Sequence, residues 1–163
     1  EDVIAESVKV LRELSEIAAE YDVDLAFEFL GFPHISVSTL GLCWKIVRET
    51  DRPSIGLVLD TFHFHAGGSS LDEIDGVDKD KIFIFHINDA EARERSELED
   101  AHRLFPGEGV IPLKDILERL HRIGYDDMVS IELFRPEYWE LPADELGARS
   151  FESVSRVLRG IYR

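Results

Sequence analysis

The sequence predicts an α/β fold in which parallel strands lie under helices, and three observations carry that expectation. Four apolar, β-prone runs at 25–30, 54–60, 81–87 and 128–134 have strand length. Stretches with helical periodicity separate them. The runs are apolar on both faces, which is the pattern of a parallel sheet covered by helices rather than of a half-solvated antiparallel one.

In order, residues 1–20 read as an amphipathic helix, with Ile4, Val8, Leu11, Leu14, Ile17 and Ala18 at helical spacing and no capping signal before them. Tyr21-Asp22-Val23-Asp24 turns into the first strand, and Gly31-Phe32-Pro33-His34 breaks it. Ser38 or Thr39 caps a helix that runs to about Thr50 and buries Leu42, Ile46 and Val47; Asp51-Arg52-Pro53 ends it. After the strand at 54–60, the segment 66–70 is expected to be a flexible loop, with Ser70 capping a short helix over 71–76. A polar turn leads to the strand at 81–87. The long acidic segment from Asn88 to Ile111 is expected to be a loop that serves a site or is disordered. Pro112 starts a helix to about Arg122, burying Ile116, Leu117 and Leu120, and Gly124 is its C-terminal cap. The strand at 128–134, a loop at 135–139 and a helix over 143–160 with Leu146, Phe151, Val154 and Leu158 inward complete the chain.

This is one domain of four βα units, starting near 25, 54, 81 and 128. Four such units make half of an eight-stranded barrel. An isolated half leaves two open sheet edges and a bare inner face, so a missing N-terminal half or a second copy of the chain is expected to complete it. Composition narrows the function. A formal charge of −16 with no basic cluster argues against binding nucleic acid. No run of about 18 apolar residues is present to span a membrane. The single cysteine, Cys43, leaves no internal disulfide framework and fits a reducing, cytoplasmic setting.

Each strand also carries one potential metal ligand at or near its C-terminal end, where parallel α/β folds place their chemistry: Glu28, Asp60, His86 and Glu132. An acid in a buried strand is costly unless a cation or hydrogen-bond donors receive it. Taken singly, each acid could be paired to an arginine or lysine, and the histidine could be a hydrogen-bonded core residue. Taken together, three carboxylates and one imidazole suit one divalent ion: Mn²⁺, Zn²⁺, Co²⁺ or Mg²⁺. His63 reads either as a group that holds a substrate oxygen or as a loop histidine. Arg103 reads either as a donor to substrate oxygens or as a surface arginine among acids. His34 and His65 read as loop residues and His121 as helix surface. Phe62, Phe64, Phe105, Tyr138 and Trp139 fall in loops after strands, where they wall a pocket or pack beneath a loop.

The runs Leu25-Ala26-Phe27-Glu28-Phe29, Gly56-Leu57-Val58-Leu59-Asp60, Phe62-His63-Phe64-His65, Ile84-Phe85-His86-Ile87, Phe105-Pro106-Gly107-Glu108-Gly109 and Ile131-Glu132-Leu133-Phe134-Arg135-Pro136-Glu137-Tyr138 occur in this order. The four ligand candidates are spaced by 32, 26 and 46 residues. In these motifs the chain resembles the xylose-isomerase-like TIM-barrel sugar isomerases and epimerases, over nearly its whole length and as the C-terminal half of the (β/α)8 barrel. The resemblance implies that Glu28, Asp60, His86 and Glu132 bind one divalent metal, that Glu28 and Glu132 also move protons, and that His63 and Arg103 touch substrate. It implies an isomerase of a keto-polyol, inosose (2-keto-myo-inositol) before others, working through a cis-enediolate. Ketose 3-epimerase, hydroxypyruvate-type isomerase and inosose dehydratase are the alternatives within the family. Repair endonucleases of the same superfold need more metal ligands and a basic surface. A catalytically incompetent half-barrel or assembly module is the alternative of another class.

Overall fold

The computed structural model describes residues 2–162. Its centre is a parallel sheet of β1 (Leu25–Glu28), β2 (Ile55–Asp60), β3 (Ile82–Ile87) and β6 (Val129–Ile131), in that spatial order. Between β3 and β6 a two-stranded antiparallel ladder, β4 (Asp89–Ala90) with β5 (Arg103–Leu104), stands apart from the main sheet. The helices are α1 (Val3–Ala19), α2 (Leu40–Thr50), α3 (Thr61–Ala66), α4 (Leu71–Ile74), α5 (Leu113–Ile123), α6 (Pro136–Trp139) and α7 (Ala143–Leu158). The fold class read from the sequence is the one observed.

The core lies between the outer face of the sheet and the helices. Leu57, Leu59, Phe85 and Ile87 point outward onto Ile46, Ile116, Leu117 and Leu120, all buried. Each such aliphatic side chain stabilises the fold by roughly 1.5–3 kcal/mol relative to exposure. Thr39 caps α2 through the Leu42 N–H, and Gly124, at φ 85°, ends α5 in the left-handed conformation that disfavours a side chain. On the inner face, a Cβ on Gly56 would lie 2.5 Å from the Phe83 ring, so the absent side chain makes room for that ring. The strand register shifts beside it, between Leu57 and Val58.

Five local expectations are corrected. Asp2 caps α1, its carboxylate accepting from Ile4 N–H at 3.1 Å, so a capping signal does precede that helix. Residues 61–66 form a helical turn, because Asp60 ends its strand and accepts the His63 N–H at 2.9 Å, nucleating α3. His63, His65, Phe62 and Phe64 are therefore helical residues rather than loop ones. The segment 88–111 is ordered: besides β4 and β5 it contains two short 3-10 turns, at 95–97 and 100–102. Tyr138 and Trp139 lie on α6, which Pro136 opens at its first helical position. In α7 Val154 and Leu158 pack partly buried against the core as expected and the small Ser153 is buried, whereas Phe151 is 75% exposed. On α1, likewise, Val8, Leu11 and Ser15 are buried while Leu14 and Ile17 face outward.

Candidate metal and proton-transfer site

The strand register puts all four ligand candidates on one face. Glu28 pairs with Val58, Asp60 with His86, and His86 with Ser130. Neighbouring candidates are thus level or offset by two residues, and an even offset keeps side chains on the same side of a sheet. Each of Glu28, Asp60, His86 and Glu132 presents one ligand atom, and the four atoms lie within 4.8 Å of one another. Glu28 and Asp60 are the last residues of β1 and β2, His86 is next to last in β3, and Glu132 stands just beyond β6.

The electrostatics are those of a crowded anionic pocket. Burial, then the nearby Asp60 and Glu132 carboxylates, push the Glu28 carboxyl up to about 7. Glu132 is held below the usual carboxylate range, chiefly by His86, and its own carboxylate is the main influence that raises His86. His86 Nδ1 lies 3.5 Å from Glu132 Oε1 and 3.9 Å from both Glu28 Oε1 and Asp60 Oδ2. None of these is a formed hydrogen bond: Glu28 Oε1 and His86 Nδ1 are the two buried side-chain atoms among the described residues that have no partner. Buried polar atoms are rarely left so, and a cation among them would receive both.

Asp60 is fully buried and its carboxylate is surrounded by donors. Oδ1 accepts the His63 N–H; Oδ2 accepts from Arg103 Nη1 at 2.7 Å and from Asn88 Nδ2 at 2.9 Å. Arg103 is only 1% exposed, contrary to its reading as a surface residue. Its guanidinium lies between the Phe62 and Phe134 rings, 4.6 and 5.3 Å from their centroids. It also reaches Asp100 Oδ1 at 3.1 Å and Glu132 Oε2 at 3.3 Å. Burial disfavours its charge, but Asp60, Glu132 and Asp100 outweigh that and raise it above the ordinary arginine value. His63 is buried beside it, and burial holds its imidazole below the usual value and so neutral. Its Nδ1 accepts from the Gly31 N–H at 3.2 Å, which leaves the proton on Nε2, facing Arg103 Nη2 across 3.1 Å. Two donors meet there.

Three residues of this neighbourhood are not among the candidates taken from the sequence: Thr61, Asn88 and Asp89. All three are buried, and a run of two polar residues directly after the strand end, Asn88-Asp89, was the available signal. Asp89 folds the following segment. Its carboxylate accepts the N–H groups of Ala90, Ile111 and Gly107 at 2.9, 2.9 and 3.0 Å. The ladder it begins pairs Ala90 with Arg103 and so delivers the arginine to Asp60. His34 stacks on Phe32, which meets His63 edge-on, while His121 meets the Tyr162 ring edge-on.

An inosose isomerase of Bacillus licheniformis is 45% identical over 163 residues, covering 100% of this chain and 59% of that protein. One of Bacillus subtilis is 47% identical over 145 residues, 89% of this chain and 52% of its own length. A 3-dehydroshikimate dehydratase of Pseudomonas putida is 29% identical over 146 residues, but only 23% of that protein is covered. Among solved structures, the IOLI protein with a binding zinc atom superposes with a TM-score of 0.95 at 42% identity, over 99% of this chain and 58% of the other. The chain thus spans little more than half the length of the isomerases it matches. The family model described as xylose isomerase-like TIM barrel matches residues 1–156, and the chain belongs to that family.

Proposed function

We propose that this chain carries the metal-dependent proton-transfer centre of a keto-polyol isomerase, with inosose as the substrate. The observation that carries the reading is the convergence of Glu28, Asp60, His86 and Glu132 within 4.8 Å, with two of their buried atoms unpartnered. Three carboxylates set against one guanidinium leave a charge of −2 when all are ionised, which one divalent cation neutralises. The zinc of the similar IOLI protein and the isomerase activity named for the Bacillus relatives support the choice. Mn²⁺, Co²⁺ and Mg²⁺ suit the same donors.

In this reading Glu28, Asp60, His86 and Glu132 hold the ion. When bound, it supplies Lewis-acid polarisation of the substrate carbonyl and thereby acidifies the adjacent C–H. Glu132, held ionised, removes that proton, and Glu28 or Glu132 returns one to the neighbouring carbon by way of a cis-enediolate. His63 Nε2–H and Arg103 Nη2 face each other as donors, and a substrate oxygen beside them satisfies both. The buried Phe62 beneath Arg103 helps to exclude water. The free, buried Cys43 is in keeping with a cytoplasmic enzyme.

The inner face of the sheet supports a further part of the proposal. Ala26, Ile84 and Ser130 are only partly covered there, and β1 and β6 each have one neighbour in the sheet. We assign these four units to the C-terminal half of an eight-stranded barrel, as one domain, completed by an N-terminal half or a second copy. The test of the activity is deuterium uptake from D2O into inosose and its isomer. The protein completed in this way is expected to exchange the carbon-bound proton, and Glu132→Gln to lose at least about 100-fold in rate while keeping its fold by circular dichroism. Full exchange in that variant contradicts the role given to Glu132, and loss of water from inosose without isomerisation replaces the isomerase by a dehydratase.

A further inference from the structure

We infer that Asn88 is a positioning residue that sets the Asp60 carboxylate and the Glu132 backbone to the geometry the metal needs. The inference rests on the metal-centre reading above. Asn88 is completely buried at the end of β3, two residues past His86, and bonds to three neighbours that each carry or adjoin a ligand. Its Nδ2 donates to Asp60 Oδ2 at 2.9 Å and, more weakly, to the Glu132 carbonyl at 3.4 Å. Its N–H donates to Thr61 Oγ1 at 2.9 Å, and the Thr61 hydroxyl faces both Asn88 Oδ1 and the Asn88 carbonyl at 2.8 Å. The amide orientation follows from chemistry. Turned over, its oxygen would face the oxygens of Asp60 and Glu132, which accept only.

One side chain therefore ties together the ends of β2, β3 and β6, which carry Asp60, His86 and Glu132. The tie matters most at Asp60. A carboxylate has about four acceptor positions, and three are taken by His63 N–H, Arg103 and Asn88, which leaves one direction for a cation. Arg103 supplies charge to Asp60 from the two-residue ladder of β4 and β5, whereas Asn88 directly follows β3. Partners of this kind typically control metal affinity by about 10- to 100-fold.

The experiment compares Mn²⁺ binding to the full chain and to Asn88→Ala and Asn88→Leu, by titration and by the electron paramagnetic resonance spectrum of bound Mn²⁺, beside thermal unfolding without metal. Asn88→Leu keeps the branched shape of the side chain, at a larger volume, and the backbone bonds to Thr61, and removes the side-chain bonds. The inference expects Mn²⁺ affinity to fall about 10- to 100-fold and the zero-field splitting to change, with the metal-free unfolding midpoint of Asn88→Leu close to that of the unaltered chain. Unchanged affinity and spectrum in a folded variant overturn it while leaving the metal centre in place. Unfolding of both variants assigns Asn88 to the fold alone and overturns it as well. If the unaltered chain takes up no Mn²⁺, the metal-centre reading fails and this inference with it.

Discussion

Asp60 shows how much one carboxylate can be made to do. It ends a strand, starts a helix by accepting the His63 N–H, pairs with a buried arginine, and offers its last direction to the centre. Glu28 has the opposite environment: without a cation it is pushed up to about 7, by burial first and by its anionic neighbours second. The sign of the pH dependence follows. Below pH 7 Glu28 holds a proton that an incoming ion must displace, and His86, raised by Glu132, adds in the same direction. Metal affinity is therefore expected to rise with pH, by up to about tenfold per unit for each proton displaced, and to level off once both groups are deprotonated. Calorimetric Mn²⁺ titrations between about pH 5.5 and about pH 8.5, on either side of the Glu28 value, check this, and a flat profile contradicts it. The four ligand candidates were legible in the sequence because each is a lone polar residue in an apolar run. Asn88 and Thr61 were not, because their partners are backbone and side-chain atoms of other strands, and periodicity carries no information about those.

At the scale of elements, the segment after β3 is where sequence reading and structure part. It is acidic and lacks apolar periodicity, so it reads as a loop. Its order comes instead from one buried acid, Asp89, which gathers three N–H groups, and from the close approach of Gly109, where a Cβ would stand 2.2 Å from the Ala90 carbonyl oxygen. The same device carries Arg103 to the centre. Asp89→Ala leaves those N–H groups without their acceptor and is expected to cost roughly 1–3 kcal/mol. Denaturant unfolding measures the loss, and faster amide exchange at Ala90, Gly107 and Ile111 locates it. Protection equal to that of the unaltered chain at these three amides contradicts the assignment. The α3 turn was missed for a related reason. Two histidines and two phenylalanines after a strand carry no helix signal of their own, and the cap that starts the turn is the residue singled out as a ligand.

Across the whole molecule, the helices and sheet of the outer layer were readable from periodicity, since burial against one core imposes it. The errors lie where a second surface is involved. Val10, Leu14 and Ile17 make an exposed apolar stripe on α1, beside the partly covered Phe27, and Phe151 and Trp139 are exposed near the other end of the sheet. The sequence marks such residues as inward because apolar spacing does not say which neighbour they meet. Among the described residues no helix is long and apolar enough to cross a membrane. Light scattering after size exclusion is expected to show this chain by itself as a dimer or larger assembly. A well-behaved monomer contradicts closure by a second copy.

The central claim is the single divalent-metal centre, and elemental analysis of the purified protein after exposure to Zn²⁺ or Mn²⁺ and exhaustive dialysis tests it most directly. The account predicts about one ion per copy of the four-ligand set, lost in Asp60→Ala. No retained metal, or an equal amount in Asp60→Ala, contradicts it.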